Sequence, residues 1–278
     1  MSDFHIFQIN MHFNMRCNLK CRLCTSYSPY YENPYYLSFE RCCELIDRFF
    51  EVFTTCGSYL ILGGEPLVRN DLHLILDYLH KYLPQITKVV RINTNGSILV
   101  SDELIEASKP YGDKMHWMID DYGNHLSVNA SQSIAKLEAA GVSCELRDYV
   151  LDPYCGGWVD FSDMTTLHNT PEEAEALFNK CLCSPKKQER SVNLYDGEMY
   201  ICGQSKHCMD LGVIPKVKPE YVNICDPALS LQETRDEITR FMNMGTQAAC
   251  QYCTGICPDS VRYPAAEQIK DTDKIVKI

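Results

Sequence analysis

The sequence lacks a long hydrophobic run, an excess of positive charge and a leader typical of exported proteins. No stretch approaches the roughly 20 apolar residues that a membrane-spanning helix needs, so we expect no membrane segment. The start, MSDFH, has no basic residues followed by an apolar run, which favours a cytoplasmic protein without a secretory signal. The net charge of −11 argues against a nucleic-acid partner, because domains that bind phosphate backbones are usually basic.

Cysteine is abundant, with 16 residues in a chain of 278. In a small secreted protein such a count would indicate disulfides, but this chain is neither small nor visibly exported. Clustered cysteines in a reducing compartment more often bind metal or take part in chemistry. A second group, scattered among apolar residues, is expected to be buried as small hydrophobic side chains: Cys42, Cys43, Cys56 and Cys144.

Strand-like and helix-like segments alternate along the first two-thirds of the chain. This alternation predicts a parallel sheet with right-handed crossovers, and therefore an α/β fold of the partial (β/α)6 TIM-like barrel type. In that architecture the chemistry belongs at the carboxyl ends of the strands. The predicted strands are 5–13, 59–62, 88–95, 115–122 and 143–150, and the predicted helices are 38–54, 70–83, 101–108, 131–140 and 171–180.

The composition and the pattern of the sequence change after about residue 180. Cysteines return, and residues 191–202 are typical of a hairpin around Asp196-Gly197. One short helix is predicted over 232–244, and the polar end of the chain is expected to lie on the surface. The predicted domains are a barrel at 1–180, a small cysteine-rich β-hairpin/helix extension at 181–262 and a C-terminal tail at 263–278.

The first cysteine group is a C-x-x-x-C-x-x-C triplet formed by Cys17, Cys21 and Cys24, directly after the first predicted strand. Three thiolates in one loop can hold an iron–sulfur cube. Three ligands, and not four, leave one iron open to bind a small molecule, as in open catalytic zinc sites. A structural zinc site, and with it a non-enzymatic zinc-binding protein, is the alternative, although zinc sites typically use two separated pairs of ligands.

This triplet resembles the signature of the radical S-adenosylmethionine (radical SAM) superfamily. A second match, Gly63-Gly64-Glu65-Pro66 after the second strand, resembles the family's GGEP motif, whose backbone receives the amino group of the cosubstrate's methionine. Glycines let a backbone approach a ligand closely, and carbonyl and carboxylate oxygens accept hydrogen bonds from an ammonium group. The resemblance implies a [4Fe-4S] cluster and S-adenosylmethionine as cofactors.

The same resemblance implies further contacts with the cosubstrate. A polar residue that ends strand four often holds the ribose, which makes Asp120 or Asp121 a candidate, a solvated turn carboxylate being the alternative. Asn93 and Asn95, at the end of strand three, are similar candidates. Leu23 stands where the family often has an aromatic residue near the adenine, so packing there would lack ring stacking.

The mechanism that the resemblance implies is reductive cleavage of S-adenosylmethionine. An electron donor such as flavodoxin or ferredoxin reduces the cluster, methionine leaves, and a 5′-deoxyadenosyl radical removes a hydrogen atom from the substrate. The protein then orients the reactants and excludes water, while the cofactors carry the difficult chemistry.

The second cysteine group resembles the C-terminal extension called twitch, a shortened SPASM domain that holds one auxiliary iron–sulfur cluster. Its pattern of a cysteine, a variable gap, glycine, four residues and cysteine is matched here, with further cysteines downstream. The implied second [4Fe-4S] cluster would be bound by Cys183 or Cys181 with Cys202, Cys250 and Cys253. A structural zinc site with the same ligands is the alternative.

The resemblance favours a polar small-molecule substrate, such as a sugar or aminocyclitol. We expect no peptide-recognition domain before the first strand, so a peptide-modifying enzyme is the alternative. Two reactions fit: oxidation of a carbinol carbon, with the auxiliary cluster as electron acceptor, or epimerisation, with a thiol as hydrogen donor. The candidate donors, which could equally be buried structural thiols, are Cys155, Cys208, Cys225 and Cys257.

A candidate substrate-binding residue interrupts the apolar pattern of strand five. Arg147 could bind substrate hydroxyls or carboxylates, or could form an ion pair with a neighbouring carboxylate. Asp152 and Trp158, in the loop that follows, could complete such a pocket.

Overall fold

The computed structural model describes residues 4–151, 157–184 and 191–270, together with Asp273 and Ile278. The predicted α/β fold is confirmed. The strands are β1 (His5–His12), β2 (Thr55–Leu62), β3 (Ile86–Thr94), β4 (Met115–Asp121), β5 (Cys144–Asp148), β6 (Ser191–Tyr195), β7 (Glu198–Tyr200) and β8 (Val222–Asn223). The α-helices are α1 (Phe39–Val52), α2 (Leu72–Leu79), α3 (Asp102–Ser108), α4 (Ala130–Ala139), α5 (Pro171–Lys180), α6 (Gly203–Asp210) and α7 (Leu231–Met242).

One mostly parallel sheet organises the molecule, with the strand order β5-β4-β3-β2-β1-β6-β7-β8. The strands from β5 to β6 in this order are all parallel, and β7 and β8 continue the sheet antiparallel. The six parallel strands fit the predicted TIM-like barrel in partial form. Because parallel strands share a direction, their carboxyl ends and the loops that follow them meet at one edge.

Helix starts follow the side-chain chemistry in most places. Ser38 caps α1 by accepting a hydrogen bond from the backbone N–H of Arg41, and Thr170 begins α5 in a reciprocal capping box. The predicted start of the second helix at residue 70 is wrong, because α2 begins at Leu72 after Asp71. Asp71 makes no capping bond, since its carboxylate pairs with the Arg69 guanidinium at 2.8 Å.

The predicted hairpin forms, and it joins the main sheet. Strand β6 pairs in parallel with β1, so the segment after residue 180 continues the sheet of the first domain. Helix α6 follows β7 directly, whereas the sequence suggested few helices there. Its residues, GQSKHCMD, show no clear apolar stripe, although most of them are buried.

The end of the chain differs from the expected surface tail. Residues 266–269 lie against the cysteine loop, with backbone hydrogen bonds from Arg22 N–H to Glu267 O (2.8 Å) and from Ile269 N–H to Lys20 O (2.7 Å). Tyr263 exchanges two further backbone bonds with Trp158. The chain from Tyr263 to Ile269 therefore contacts both the loop that carries Trp158 and the cysteine loop, at the carboxyl edge of the sheet.

The core lies between the sheet and its helices. Cys42 and Cys56 are fully buried in it and Cys43 nearly so, as expected, while Cys144 is half-buried at the edge strand β5. Within the described ranges, no helix combines the length and the apolar character that crossing a bilayer requires.

Candidate active site

A cavity of about 380 Å³ opens at the carboxyl edge of the sheet. Loops after β1, β2, β3 and β4 form its walls, as the barrel architecture predicts. Most of the candidate residues for the first cluster and the cosubstrate line it together: Cys17, Cys21, Cys24, Gly63, Gly64, Glu65, Pro66, Asn93, Asn95 and Asp120.

The cysteine triplet wraps one side of this cavity. The Cys17 sulfur accepts a hydrogen bond from the backbone N–H of Leu19 at 3.4 Å, and the Cys21 sulfur accepts one from Gln268 Nε2 at 3.3 Å. Burial raises the pKa values of Cys17 and Cys21 to about 12, and it also raises the pKa of Cys24. These thiols are therefore protonated at neutral pH, and a metal would have to displace the protons to bind them.

The two glycines of the GGEP motif are required by the protein's own packing. A Cβ on Gly63 would meet the carbonyl oxygen of Asn14, and one on Gly64 would collide with that of Arg16. The backbone N–H of Glu65 donates to Arg16 O at 2.9 Å. The loop after β2 thus lies directly on the chain that leads into Cys17, which fixes the motif beside the cysteine loop.

Glu65 is buried, with its carboxylate saturated from within the protein. Its oxygens accept hydrogen bonds from the backbone N–H groups of Leu67 (2.9 Å) and Asn95 (2.8 Å) and from the hydroxyl of Thr94 (2.7 Å). Burial raises its pKa to about 7, and these hydrogen bonds oppose the shift. The side chain braces the loops after β2 and β3, whereas the sequence suggested a carboxylate open to an ammonium group.

The two asparagines after β3 have different environments. Asn95 Nδ2 donates to Asn18 Oδ1 at 3.1 Å and lies 3.8 Å from the Cys17 sulfur, so it supports the cysteine loop. Asn93 Oδ1 is buried at the cavity wall and has no hydrogen-bond partner among the described residues. An unpaired buried acceptor is costly, so Asn93 marks a position where a ligand donor fits.

At the end of β4, one of the two aspartates faces the cavity. Asp120 lines it and forms an ion pair with Arg147, whose Nε lies 2.6 Å from Asp120 Oδ1. Burial raises the Asp120 pKa to about 6, and the arginine opposes this shift. Asp121 instead accepts from the N–H of Gly123 in the turn, and neither Asp121 nor Arg147 lines the cavity. The ion-pair interpretation of Arg147 is the one that the structure shows.

An aromatic wall faces the cysteines, and sequence reasoning largely missed it. The ring centroids of Tyr122 and Tyr149 lie 5.0 Å apart, and Trp158 packs on Tyr122 at 5.7 Å. Of these, only Trp158 was a sequence candidate. The tyrosines follow β4 and β5 within two residues, which is the available signal for their position.

The same wall carries Arg262, the one cation among the described residues that line the cavity. Its Nη2 donates to the carbonyl of Cys257 at 3.1 Å, while its buried Nη1 has no partner among the described residues. Nothing in the pattern of the sequence around Arg262 distinguishes it from a surface residue.

Other candidate residues lie away from this cavity. Leu23 is buried without lining it. Cys208 is buried, with its sulfur 3.6 Å from Met164 O, and Cys225 packs on the β6–β7 turn at Gly197. Cys257 faces a separate open pocket, and Cys155 lies outside the described residues.

A second, closed cavity collects the other predicted ligands. Its wall is largely apolar, and the cysteines on it are Cys181, Cys183, Cys202, Cys250 and Cys253. Its free volume is only about 30 Å³, close to that of one water molecule. Next to it, Gly203 packs so closely on the carbonyl of Thr25 that a Cβ would not fit, so the second cysteine group adjoins the loop of Cys24.

Neither cysteine group is arranged around a single point. Among the residues that the structure describes, no three Cys, His, Asp or Glu side chains converge closely enough to hold one metal ion. The thiols have the donor chemistry for an iron–sulfur cluster or zinc.

The comparison with protein families bears on the first cavity. Residues 11–134 match the model of the Radical SAM superfamily. This part of the chain, a little under half of it, is similar to a radical SAM domain. The matched region runs from within β1 into α4, and it contains the cysteine triplet, the GGEP motif, Asn93, Asn95 and Asp120.

Two known proteins are similar to this chain, one over a short segment of its sequence and one in its fold. The GTP 3′,8-cyclase of Campylobacter curvus (strain 525.92) is 34% identical over 86 residues, which are 30% of this chain and 26% of that protein. The chain therefore matches about a quarter of this relative's length. BtrN, solved in complex with AdoMet and 2-DOIA, shares the fold with a TM-score of 0.56 and 13% identity, covering 95% of this chain and 98% of BtrN.

A third likeness is confined to part of the chain. SuiB of Streptococcus suis, solved with S-adenosylmethionine, has a TM-score of 0.42 and 18% identity over 52% of this chain and 34% of SuiB.

Proposed function

We propose that the protein is a cytoplasmic radical SAM enzyme that abstracts a hydrogen atom from a polar small molecule. The observation that carries this proposal is the shared cavity. Three thiols in the C-x-x-x-C-x-x-C spacing, the GGEP loop, Asn93 and Asp120 come from four separate strand ends and line one space. The match over residues 11–134 supports the same function.

The residues fit the implied cofactors by their donor chemistry. Cys17, Cys21 and Cys24 would hold a [4Fe-4S] cluster, and the unpaired acceptor of Asn93 suits a hydroxyl or ammonium donor of S-adenosylmethionine. When bound, the two cofactors supply hydrogen-atom abstraction after reduction by a donor such as flavodoxin or ferredoxin. The GGEP loop and the brace at Glu65 fix the site's shape, and the aromatic wall limits access of water.

We assign the second cysteine group to an auxiliary [4Fe-4S] cluster in a twitch-like extension. Five thiols on one closed apolar cavity support this role, with Cys202, Cys250, Cys253 and either Cys181 or Cys183 as ligands. A zinc ion with the same ligands is the competing occupant. Metal analysis separates the two, because only the cluster contains iron and sulfide.

The cavity favours a substrate that carries an acidic group. Among the described residues that line it, Arg262 is the one cation and has a donor without a partner there, whereas Asp120 and Glu65 are already engaged within the protein. A guanidinium in this state suits a carboxylate or a phosphate. The fold shared with BtrN, which was solved with 2-DOIA, supports a small molecule, and a peptide is the alternative substrate.

Of the two reactions, oxidation is better supported than epimerisation. Epimerisation needs a thiol that faces the substrate, and of the candidates within the described residues neither Cys208, Cys225 nor Cys257 lines the cavity, while Cys155 lies outside those residues. Oxidation needs an acceptor for a second electron, and a cluster in the second cysteine group, which adjoins the loop of Cys24, would supply one.

The test is anaerobic turnover of S-adenosylmethionine by the reconstituted protein with dithionite. We expect 5′-deoxyadenosine from the wild type and none from Cys24→Ala, with Cys225→Ala as a control that keeps the activity. Candidate sugar acids, sugar phosphates and their neutral counterparts are then supplied in deuterated form, and deuterium in 5′-deoxyadenosine identifies a substrate. Equal product from wild type and Cys24→Ala would refute the proposed function. Transfer only from neutral compounds or peptides would refute the acidic substrate.

A further inference from the structure

The segment Ala266–Ile269 forms a strap across the cysteine loop. Two backbone hydrogen bonds, Arg22 N–H to Glu267 O and Ile269 N–H to Lys20 O, flank an antiparallel bridge between Cys21 and Gln268. An ion pair of 3.0 Å between Arg22 and Glu267 adds to this contact. Residue 268 is therefore held opposite Cys21 by main-chain contacts, independently of its own side chain.

The orientation of the Gln268 amide is determined by two backbone partners. Its Oε1 accepts from the N–H of Lys20 at 2.8 Å, which only an oxygen can do. Its Nε2 donates to the carbonyl of Ala266 at 2.7 Å, which only a nitrogen can do. The second hydrogen of Nε2 is left for the Cys21 sulfur, 3.3 Å away. The amide thus has one arrangement, and in that arrangement it donates to the thiol.

We infer that Gln268 is a positioning residue that orients Cys21 and raises the reduction potential of the cluster held by the triplet. The inference rests on the proposed function, because it requires a cluster at Cys17, Cys21 and Cys24. Reduction adds negative charge to the cluster and its sulfur ligands, and a hydrogen-bond donor at a ligand sulfur stabilises that charge. A hydrogen bond to a charged group is worth enough to change an equilibrium about tenfold.

The experiment is a redox titration of the reconstituted protein, without S-adenosylmethionine, followed by the electron paramagnetic resonance signal of the reduced cluster. To isolate this cluster, all proteins carry Cys250→Ala and Cys253→Ala. Gln268→Leu removes the donor, and Gln268→Glu keeps the acceptor for Lys20 N–H but places a negative charge at the sulfur. The matched controls are Gln232→Leu and Gln232→Glu, at an exposed position on α7.

We expect Gln268→Leu to disfavour reduction about tenfold, which is about 59 mV toward negative potential for one electron, and Gln268→Glu to disfavour it further. The Gln232 variants should match their parent, and iron per chain should be equal in all five proteins. Unchanged potentials in both Gln268 variants, a positive shift, or loss of iron from them alone would overturn the inference. A parent protein without iron would overturn the proposed function, and this inference with it.

Discussion

At the scale of single residues, the carboxylate of Glu65 explains part of the GGEP motif without reference to a ligand. It accepts hydrogen bonds from two backbone N–H groups and one hydroxyl in a buried position. The sequence indicated that Glu65 belongs to the site but could not show which way the carboxylate points, since that depends on β3 lying beside β2.

Replacing Glu65 by glutamine should destabilise the protein, because an amide N–H₂ would then face a backbone N–H donor. Leaving such a buried donor unsatisfied costs about 1–3 kcal/mol. Urea unfolding of the metal-free protein measures the loss. The control is Glu44→Gln on the exposed side of α1, for which we expect a change within about 0.5 kcal/mol. Equal effects of the two substitutions would contradict the bracing role.

The raised pKa of Glu65 also predicts how the free energy of unfolding depends on pH. In the folded state the Glu65 carboxyl has a pKa of about 7, above its ordinary value of 4.5. Between these two pH values the folded state therefore holds more protons than the unfolded state. The free energy of unfolding contributed by this group therefore falls as pH rises from about 4.5 to 7 and is constant above that range. Urea titrations across this range should show that Glu65→Gln has lost this slope. Parallel curves for wild type and variant would contradict the assignment.

At the scale of elements, the close contact between the loop after β2 and the chain before Cys17 is decided by Gly64. A Cβ there would collide with the carbonyl of Arg16, a backbone atom that cannot move aside easily. We expect Gly64→Ala to cost about 3 kcal/mol and to reduce the iron retained at the triplet. Gly245→Ala is the control, since a Cβ at Gly245 meets nothing within 4 Å. Thermal unfolding and iron analysis check both variants, and a stable, iron-replete Gly64→Ala protein would refute the steric account.

The regular elements could be predicted from local side-chain chemistry, whereas the long-range pairings could not. Ser38 and Thr170 mark helix starts because a capping side chain is local, and Asp196-Gly197 marks a hairpin for the same reason. The pairing of β6 with β1 and of Gln268 with Cys21 joins residues about 180 and 247 positions apart, and no local pattern reports such contacts. The predicted start of α2 at residue 70 is two residues early, and Asp71, directly before the helix, pairs its carboxylate with the Arg69 guanidinium.

At the scale of the whole molecule, the sheet places two cysteine groups side by side. The cysteine triplet lies at the carboxyl edge of β1. The second cysteine group lies beside it, because the β6–β7 hairpin pairs with β1 and leads into the chain before α6. Gly203, directly after Cys202, packs on Thr25, directly after Cys24. The fold thereby brings the proposed site of hydrogen abstraction next to the second cysteine group, the site proposed for the auxiliary cluster.

Iron and sulfide counts on the anaerobically reconstituted protein test the central claim most directly. We predict about eight irons per chain in the wild type and about four in the Cys17/Cys21/Cys24→Ala variant, as expected for two four-iron clusters of which one is lost. A Cys43/Cys144/Cys225→Ala variant, which also lacks three cysteines but none from either group, should keep about eight. A wild type without iron that binds zinc instead, or a triplet variant that retains all its iron, would contradict the account.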